Sequence, residues 1–397
     1  MAQYRSTKQD RLVRRAARRR PRIIGLCAGA GALLAFCMTP LATAPGAHAD
    51  IDDVFQPVID AIAQAVNVLD PGLASSLDPG LDLGGVAGSA LPADAVENAT
   101  VPLTMHNTAP LVDVSVGGGL DIPMLVDTGS EGVVVPWNDV GLQNLWDLVT
   151  SGSPLTLETT GYGGSPADPN IDILYVADPD TTVDFGDGIV TSPTTVDLEL
   201  FAYPASSSGY SDLDDWSFQL YEGSNGADGI LGIGNGEAGA VGPGPSSPIT
   251  ALPGDLSEGA LIDETGGYLE FGANPLTPYT SVIGAPITNE LEVSVGGAGH
   301  ATVPVELATI DSGGVDGTIP ASILTGNPAV GEPLSPGTDI SVYTSQGQFL
   351  YSYTTTSGDS PTISSDTTMN TGWTAFQAYP VYVSYSPTGI GTTVFDY

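Results

Sequence analysis

Two short segments of this sequence carry residues that could do chemistry together. The first reads LVDTGS, Leu125 to Ser130, and leads into VVVP ending at Pro136; the second reads TIDSGG, Thr309 to Gly314, and leads into GTIP ending at Pro320. Each is preceded by a similar phrase, VDVSVGGG at 112–119 and LEVSVGGA at 291–298, and in each a proline falls nine residues after the aspartate. A repeat of this kind predicts two halves that fold alike. A pseudo-two-fold axis between them would bring the turns together and set Asp127 opposite Asp311. Two carboxylates a few ångströms apart cannot both ionise, so they share one proton across a working pH range. The ionised member can take a proton from water while the protonated member polarises a carbonyl, which is the chemistry of amide hydrolysis. Gly129 and Gly313, without a Cβ, let each turn approach its twin, and the hydroxyls of Thr128 and Ser312 can hydrogen-bond across the axis.

Such turns need rigid β elements behind them. From Val101 onward the chain is made of short Val/Ile/Thr/Tyr runs broken by Gly, Pro, Asn and Asp, which predicts a mainly β body. A helix is expected at Gln143 to Val149. Another is expected just after the first 49 residues, where Val54, Phe55, Val58, Ile59, Ile62, Val66 and Leu69 repeat at helical spacing. Residues 70–98, rich in Asp-Pro-Gly and Gly-Gly, read as a linker. The expected organisation is a signal peptide at 1–49, the helix and linker at 50–98, and two β lobes at 99–280 and 281–397.

Charge narrows the function. All nine basic residues lie between Arg5 and Arg22, and from Asp50 onward the chain has 45 carboxylates and no Lys or Arg. That surface repels a phosphate backbone, which excludes nucleic acid and polybasic docking on anionic membranes. The basic head, the apolar run from Ile23 to Met38 and Ala47-His48-Ala49 predict export with cleavage before Asp50, by a Sec or a twin-arginine route. The other reading of that run is a retained anchor, but at about 16 residues it is shorter than the ~20 of a spanning helix. Membrane contact is expected only through this segment if it stays uncleaved. Both cysteines, Cys27 and Cys37, lie in it, so no thiol chemistry, disulfide or Cys metal site is expected beyond it. His106 and His300 are isolated in sequence and read as structural, and Asp212, Asp214 and Asp215 as a solvated loop; no metal site is expected.

Across roughly residues 100–397 the chain resembles the pepsin-like aspartic proteases. DTGS and DSGG match the two catalytic motifs, DGILGIG at 228–234 is similar to the segment passing behind the first catalytic loop, and GGYLEFG at 266–272 to the strand closing the first lobe. The phrases TVDFGDGIVTSPT, SVYTSQGQFLYSYTTT, MNTG and PVYVSYSPTGIGTTVFDY resemble more specifically the aspartic protease domain of mycobacterial PE and PE-PGRS proteins. The resemblance implies a bilobal pepsin-like fold with a central cleft, and a secreted or envelope-located, monomeric, cofactor-free endopeptidase. Asp127 and Asp311 would be its catalytic pair, supported by Thr128, Gly129, Ser130, Ser312 and Gly313. Its polypeptide substrates would be PE-type exported proteins, cut near the linker after their targeting domain. It also implies a flap over the site with a tyrosine near its tip, for which Tyr162 in TGYGGS is the candidate, with Tyr175 behind it.

The chain departs from the pattern in three places. Gly314 stands where a hydroxyl residue usually follows the second turn, so Asp311 is expected to lack an outer hydrogen bond. Asn370-Thr371-Gly372 keeps only the glycine of the second hydrophobic-hydrophobic-Gly segment. A PE-type targeting segment and long Gly-rich repeat do not occur in these residues. The first two departures favour the alternative reading, a catalytically inactive pepsin-like binding protein of the envelope.

Overall fold

The β-branched runs form strands that pair into four sheets in the computed structural model. It describes residues 98–397 apart from 142–143, 145–147, 149–156, 163–170, 205–225, 236–245, 298–299, 327 and 386–390. These residues belong to one compact unit, Gly85–Tyr397. The expected signal segment, the helix at 54–69 and the linker to residue 97 lie outside the described residues, as does the acidic loop at 212–215. Of the helix expected at 143–149, Asn144 and Leu148 are described, and both are helical.

A nine-stranded sheet carries the first turn. Its order is Thr104–His106, Ala109–Val116, Ile122–Asp127, Gly229–Ile233, Glu131–Pro136, Thr194–Pro204, Ile171–Thr181 and Leu157–Tyr162, with Val183–Asp184 pairing onto Ala109–Val116. Ala109–Val116 alternates in its second half, with Val112, Val114 and Val116 buried and Asp113 exposed. The strands around the turn do not alternate: Gly229–Ile233 is buried throughout, and so is VVVP of Glu131–Pro136. Continuous apolar runs are what strands covered on both faces require.

The second turn sits in a five-stranded sheet ordered Ile287–Thr288, Leu307–Thr309, Thr368–Asn370, Thr318–Pro320 and Thr362–Ser364. A four-stranded sheet of Val303–Pro304, Leu291–Val295, Asp339–Thr344 and Phe349–Thr354 accompanies it. One difference separates the repeats. In the first, Ala109–Val116 and Ile122–Asp127 make one uninterrupted hairpin. In the second, the corresponding stretch is divided between the two sheets, Ile287–Thr288 with Leu307–Thr309 and Leu291–Val295 with Val303–Pro304. Pairing in the latter reaches Val305, whose N–H donates to the Leu291 carbonyl at 3.0 Å.

A six-stranded antiparallel sheet joins the halves. Asn98–Pro102, Tyr268–Gly272 and Gly259–Asp263 are followed across it by Val381–Ser384, Thr392–Asp396 and Pro278–Ile283. Phe271, fully buried, packs its ring 4.8 Å from that of Phe185 and so ties this sheet to the loop beyond Val183–Asp184. Burying such a ring stabilises by about 1.5–3 kcal/mol. A short helix, Thr374–Ala378, was not anticipated from the sequence; it follows Gly372, whose φ of 61° turns the chain out of the preceding strand.

Two carboxyl groups outside the turns make stability depend on pH. Glu264, in the turn between Gly259–Asp263 and Tyr268–Gly272, has a buried Oε1 with no hydrogen-bond partner among the described residues. Burial pushes its carboxyl up to about 8, and burial together with Asp228 pushes Asp139 up to about 6. A folded-state pKa raised above the unfolded value contributes stability that is complete below the unfolded value and is lost as pH rises through the folded one. Thermal stability is therefore expected to decline between about pH 4.5 and pH 8. In Glu264→Gln, calorimetry at pH 5 and pH 8 should find a smaller difference in Tm than in the parent.

Candidate active site

Asp127 ends the strand Ile122–Asp127, and Asp311 lies two residues beyond Leu307–Thr309. Each turn reverses around a third strand laid between its two arms. Gly229–Ile233 runs parallel to Ile122–Asp127, with Gly232 opposite Asp127, and antiparallel to Glu131–Pro136. Thr368–Asn370 runs parallel to Leu307–Thr309 and antiparallel to Thr318–Pro320, with Asn370 opposite both Thr309 and Thr318. The arrangement holds both turns from behind and presents their tips to each other.

Four hydrogen bonds cross between the tips. The Thr128 N–H donates to Ser312 Oγ (3.0 Å) and the Ser312 N–H to Thr128 Oγ1 (2.9 Å). Thr128 Oγ1 then donates to the Ile310 carbonyl and Ser312 Oγ to the Val126 carbonyl, each at 2.7 Å. Each hydroxyl thus engages the opposite backbone as acceptor and donor at once. Thr128 and Ser312 are 1% and 0% exposed, so all four bonds are shielded from water.

This lock brings the carboxyl groups of Asp127 and Asp311 within hydrogen-bonding reach of each other, each 8% exposed. The approach is close enough that a Cβ on Gly129 would fall 2.4 Å from Asp311 Cγ, and one on Gly313 would fall 2.7 Å from Asp127 Oδ1. No side chain fits at either glycine. The Gly129 N–H donates to Asp127 Oδ1 (2.8 Å) and Ser130 Oγ to Asp127 Oδ2 (2.5 Å). The Gly313 N–H donates to Asp311 Oδ1 (2.9 Å). Burial first, and the neighbouring Asp127 next, hold the Asp311 carboxyl well above the usual carboxylate range, against smaller opposing effects of Asn370 and Gly313. The pair therefore keeps a proton to higher pH than a lone carboxyl group would.

The expectation that Asp311 lacks an outer hydrogen bond is wrong. Asn370 Nδ2 donates to Asp311 Oδ2 at 2.5 Å, the distance at which Ser130 serves Asp127. Asn370 was missed as a site residue because it is 59 positions away in the chain, although its departure from the apolar pattern was visible. Tyr162 ends the strand Leu157–Tyr162 of an antiparallel hairpin, opposite Ile171; residues 163–170 lie outside the described ones. Tyr175 is buried in the same hairpin, opposite Glu158. His106 and His300 are both exposed and lie in different sheet regions. Among the described residues no three His, Cys, Asp or Glu side chains are grouped as a metal ion would need.

A mainly β chain with two such turns, locked tip to tip around a buried carboxyl pair, has the construction of an aspartyl peptidase. The chain belongs to the PE-PGRS C-terminal aspartyl peptidase-like domain family, whose sequence model matches residues 99–393. It is 44% identical over 313 residues to PE cleavage protein A of Mycobacterium tuberculosis (strain ATCC 25618 / H37Rv), and 43% identical over 310 residues to PE cleavage protein A of Mycobacterium marinum (strain ATCC BAA-535 / M). Each match covers 76% of this chain and 52% of the relative, so the chain spans about half the length of the curated relatives it matches.

Replacing Ser312 by Ala leaves the buried Thr128 N–H without an acceptor and the Val126 carbonyl without its donor. Urea denaturation should show a loss of about 2 kcal/mol or more. A smaller loss than for an exposed control such as Ser357→Ala would mean that the crossing bonds do not hold the turns together.

Proposed function

We propose that this chain is an exported aspartic endopeptidase that hydrolyses peptide bonds with Asp127 and Asp311. The observation that carries the reading is the pairing of the two carboxyl groups, each with its own N–H and side-chain donor, on turns locked by Thr128 and Ser312. Two partners of unequal protonation are what the chemistry needs. Water between the carboxyl groups gives a proton to Asp127 as its oxygen bonds to the scissile carbonyl carbon, and Asp311 gives its proton to the carbonyl oxygen. The tetrahedral intermediate then collapses: the C–N bond breaks, Asp127 passes its proton to the leaving nitrogen, and Asp311 recovers one from the hydroxyl. The four donors to the carboxyl oxygens hold both groups in place without reorganisation during the reaction.

Relatives named for cleavage of PE proteins support PE-type exported polypeptides as substrates, cut near the linker that follows the targeting domain. Tyr162, at the end of its hairpin, is assigned to a flap that closes on the substrate. The basic and apolar head supports export to the envelope or beyond, with residues 1–49 removed. The feature that favoured an inactive binding protein, a missing donor at Asp311, is offset by Asn370.

The purified chain should cleave an unfolded protein in a pepstatin-sensitive way. Asp127→Asn and Asp311→Asn should each lose at least about a thousandfold in kcat/KM. Because Asp311 must be protonated, activity should fall as pH rises through its raised value, leaving the maximum on the acid side. Retained cleavage in either Asn variant, or a maximum above pH 7.5 in a folded sample, would overturn the shared-proton reading.

A further inference from the structure

The two halves hold their aspartates with different residues, and the difference lies in two places at once. Ser130, three residues after Asp127, gives its hydroxyl to Asp127 Oδ2. At the equivalent place after Asp311 stands Gly314. An ideal Cβ there would lie 2.5 Å from Asn370 Oδ1 and 2.6 Å from Asp311 Oδ2. The space a side chain would need is filled by Asn370, from the strand Thr368–Asn370, and by the Asp311 carboxyl that Asn370 holds there.

We propose that Asn370 is a positioning residue for Asp311, replacing the turn hydroxyl, and that Gly314 is glycine because Asn370 occupies its place. The two departures from the family pattern are then one compensated exchange. The inference rests on the reading of the pair as a peptidase dyad, and goes beyond it by assigning the residue that orients the acid member.

The surroundings of Asn370 fix its amide. Its Oδ1 accepts from the Gly372 N–H at 2.8 Å, so Nδ2 is the end that faces Asp311. Its own N–H donates to Thr318 Oγ1 at 3.2 Å, and its backbone is paired on both sides. This makes it a different kind of donor from Ser130. A hydroxyl can rotate, donating to a carboxylate and accepting from a carboxylic acid. An NH2 group whose oxygen is already engaged can only donate. Oδ2 of Asp311 therefore faces a fixed donor in either protonation state, as Oδ1 does from the Gly313 N–H, and the proton that Asp311 carries must take a lone pair that neither donor uses. Asp127, against a hydroxyl, has no such restriction. The exchange makes the acid member the more firmly oriented of the two.

Removing a donor that favours the ionised form raises the carboxyl further, so loss of Asn370 should lower the rate and also move the alkaline limb upward. The test compares the parent chain with Asn370→Ala, Asn370→Asp, Gly314→Ser and Asn370→Ala/Gly314→Ser. Folding is checked by circular dichroism, cleavage of casein is measured from pH 3 to 9, and Asp311 is titrated by carboxyl carbon NMR, assigned with Asp311→Asn. Asn370→Ala should lose about 10- to 100-fold in kcat, the range for one hydrogen bond to a charged group, with KM within about twofold. Its alkaline limb and its Asp311 midpoint should both rise by about one pH unit. The nearly isosteric Asn370→Asp, a carboxyl in place of a donor, should raise the midpoint further. Gly314→Ser alone should lose activity despite its hydroxyl, because Asn370 and the Asp311 carboxyl it holds are in the way. With Asn370 reduced to alanine, the same serine should recover at least about tenfold in kcat and return the limb toward the parent. An unmoved midpoint in folded Asn370→Ala, or a folded double variant no better than Asn370→Ala, overturns the proposal. If the parent chain cleaves nothing, the peptidase reading fails, while the Asp311 titration still decides what Asn370 does.

Discussion

The absence of lysine and arginine after Arg22 governs how this fold handles charge. A buried or crowded carboxylate elsewhere in the protein world usually meets a guanidinium or an ammonium; here it must meet a neutral donor or keep its proton. Both solutions recur. Asn274 Nδ2 donates to both oxygens of Asp396 at 3.0 Å, Thr354 Oγ1 donates to Asp339 at 2.6 Å, and the Ile283 N–H donates to Glu290 at 2.7 Å. Asn144 does the same for Asp178. Where burial exceeds what donors can offset, as at Glu264, the proton stays. The aspartate pair uses both solutions at one point. Four neutral donors surround it, and the residual imbalance is met by a proton that the pair retains.

The approach of the turns follows from the same economy of groups. Thr128 and Ser312 use short hydroxyls that reach a backbone N–H and a carbonyl together, and the glycines beside them leave the carboxyl groups unobstructed. Around that shared centre the halves have diverged. The first keeps one long hairpin, the second divides its own between two sheets; the first places its outer hydroxyl in the turn, the second brings an amide from another strand. What the two retain is the strand threaded behind each turn, through Gly232 and through Asn370.

Much of this was legible in sequence because it is local. The short Val/Ile/Thr/Tyr runs broken by Gly, Pro, Asn and Asp marked a mainly β body, and the repeated Asp-x-Gly turns marked the candidate site. The hydroxyls of Thr128 and Ser312 were expected to bridge the axis, but that each would take the opposite amide and give to the opposite carbonyl depends on backbone angles no motif encodes. Gly314 and Asn370 each read as a defect when taken singly. Their meaning lies in a contact across 56 residues, visible only when the turn and the strand are placed together. Glu264 reads as an ordinary turn glutamate; its burial is a property of the assembled hairpin. The short helix at Thr374–Ala378 is too brief to carry a period.

The six-stranded sheet has a bearing on the order of events in time. Thr392–Asp396, within the last residues of this sequence, is an interior strand, paired to Val381–Ser384 on one side and Pro278–Ile283 on the other. Asn98–Pro102, the earliest strand, lies at the edge of the same sheet among the described residues. A ribosome or a translocation channel releases the chain from its beginning, so the platform joining the halves cannot close until its latest strand has emerged. Until then Pro278–Ile283 waits unpaired on that side, and the two turns are not yet held together by the sheet. The joining sheet is therefore completed last and from within, by a strand that inserts between two already synthesised neighbours.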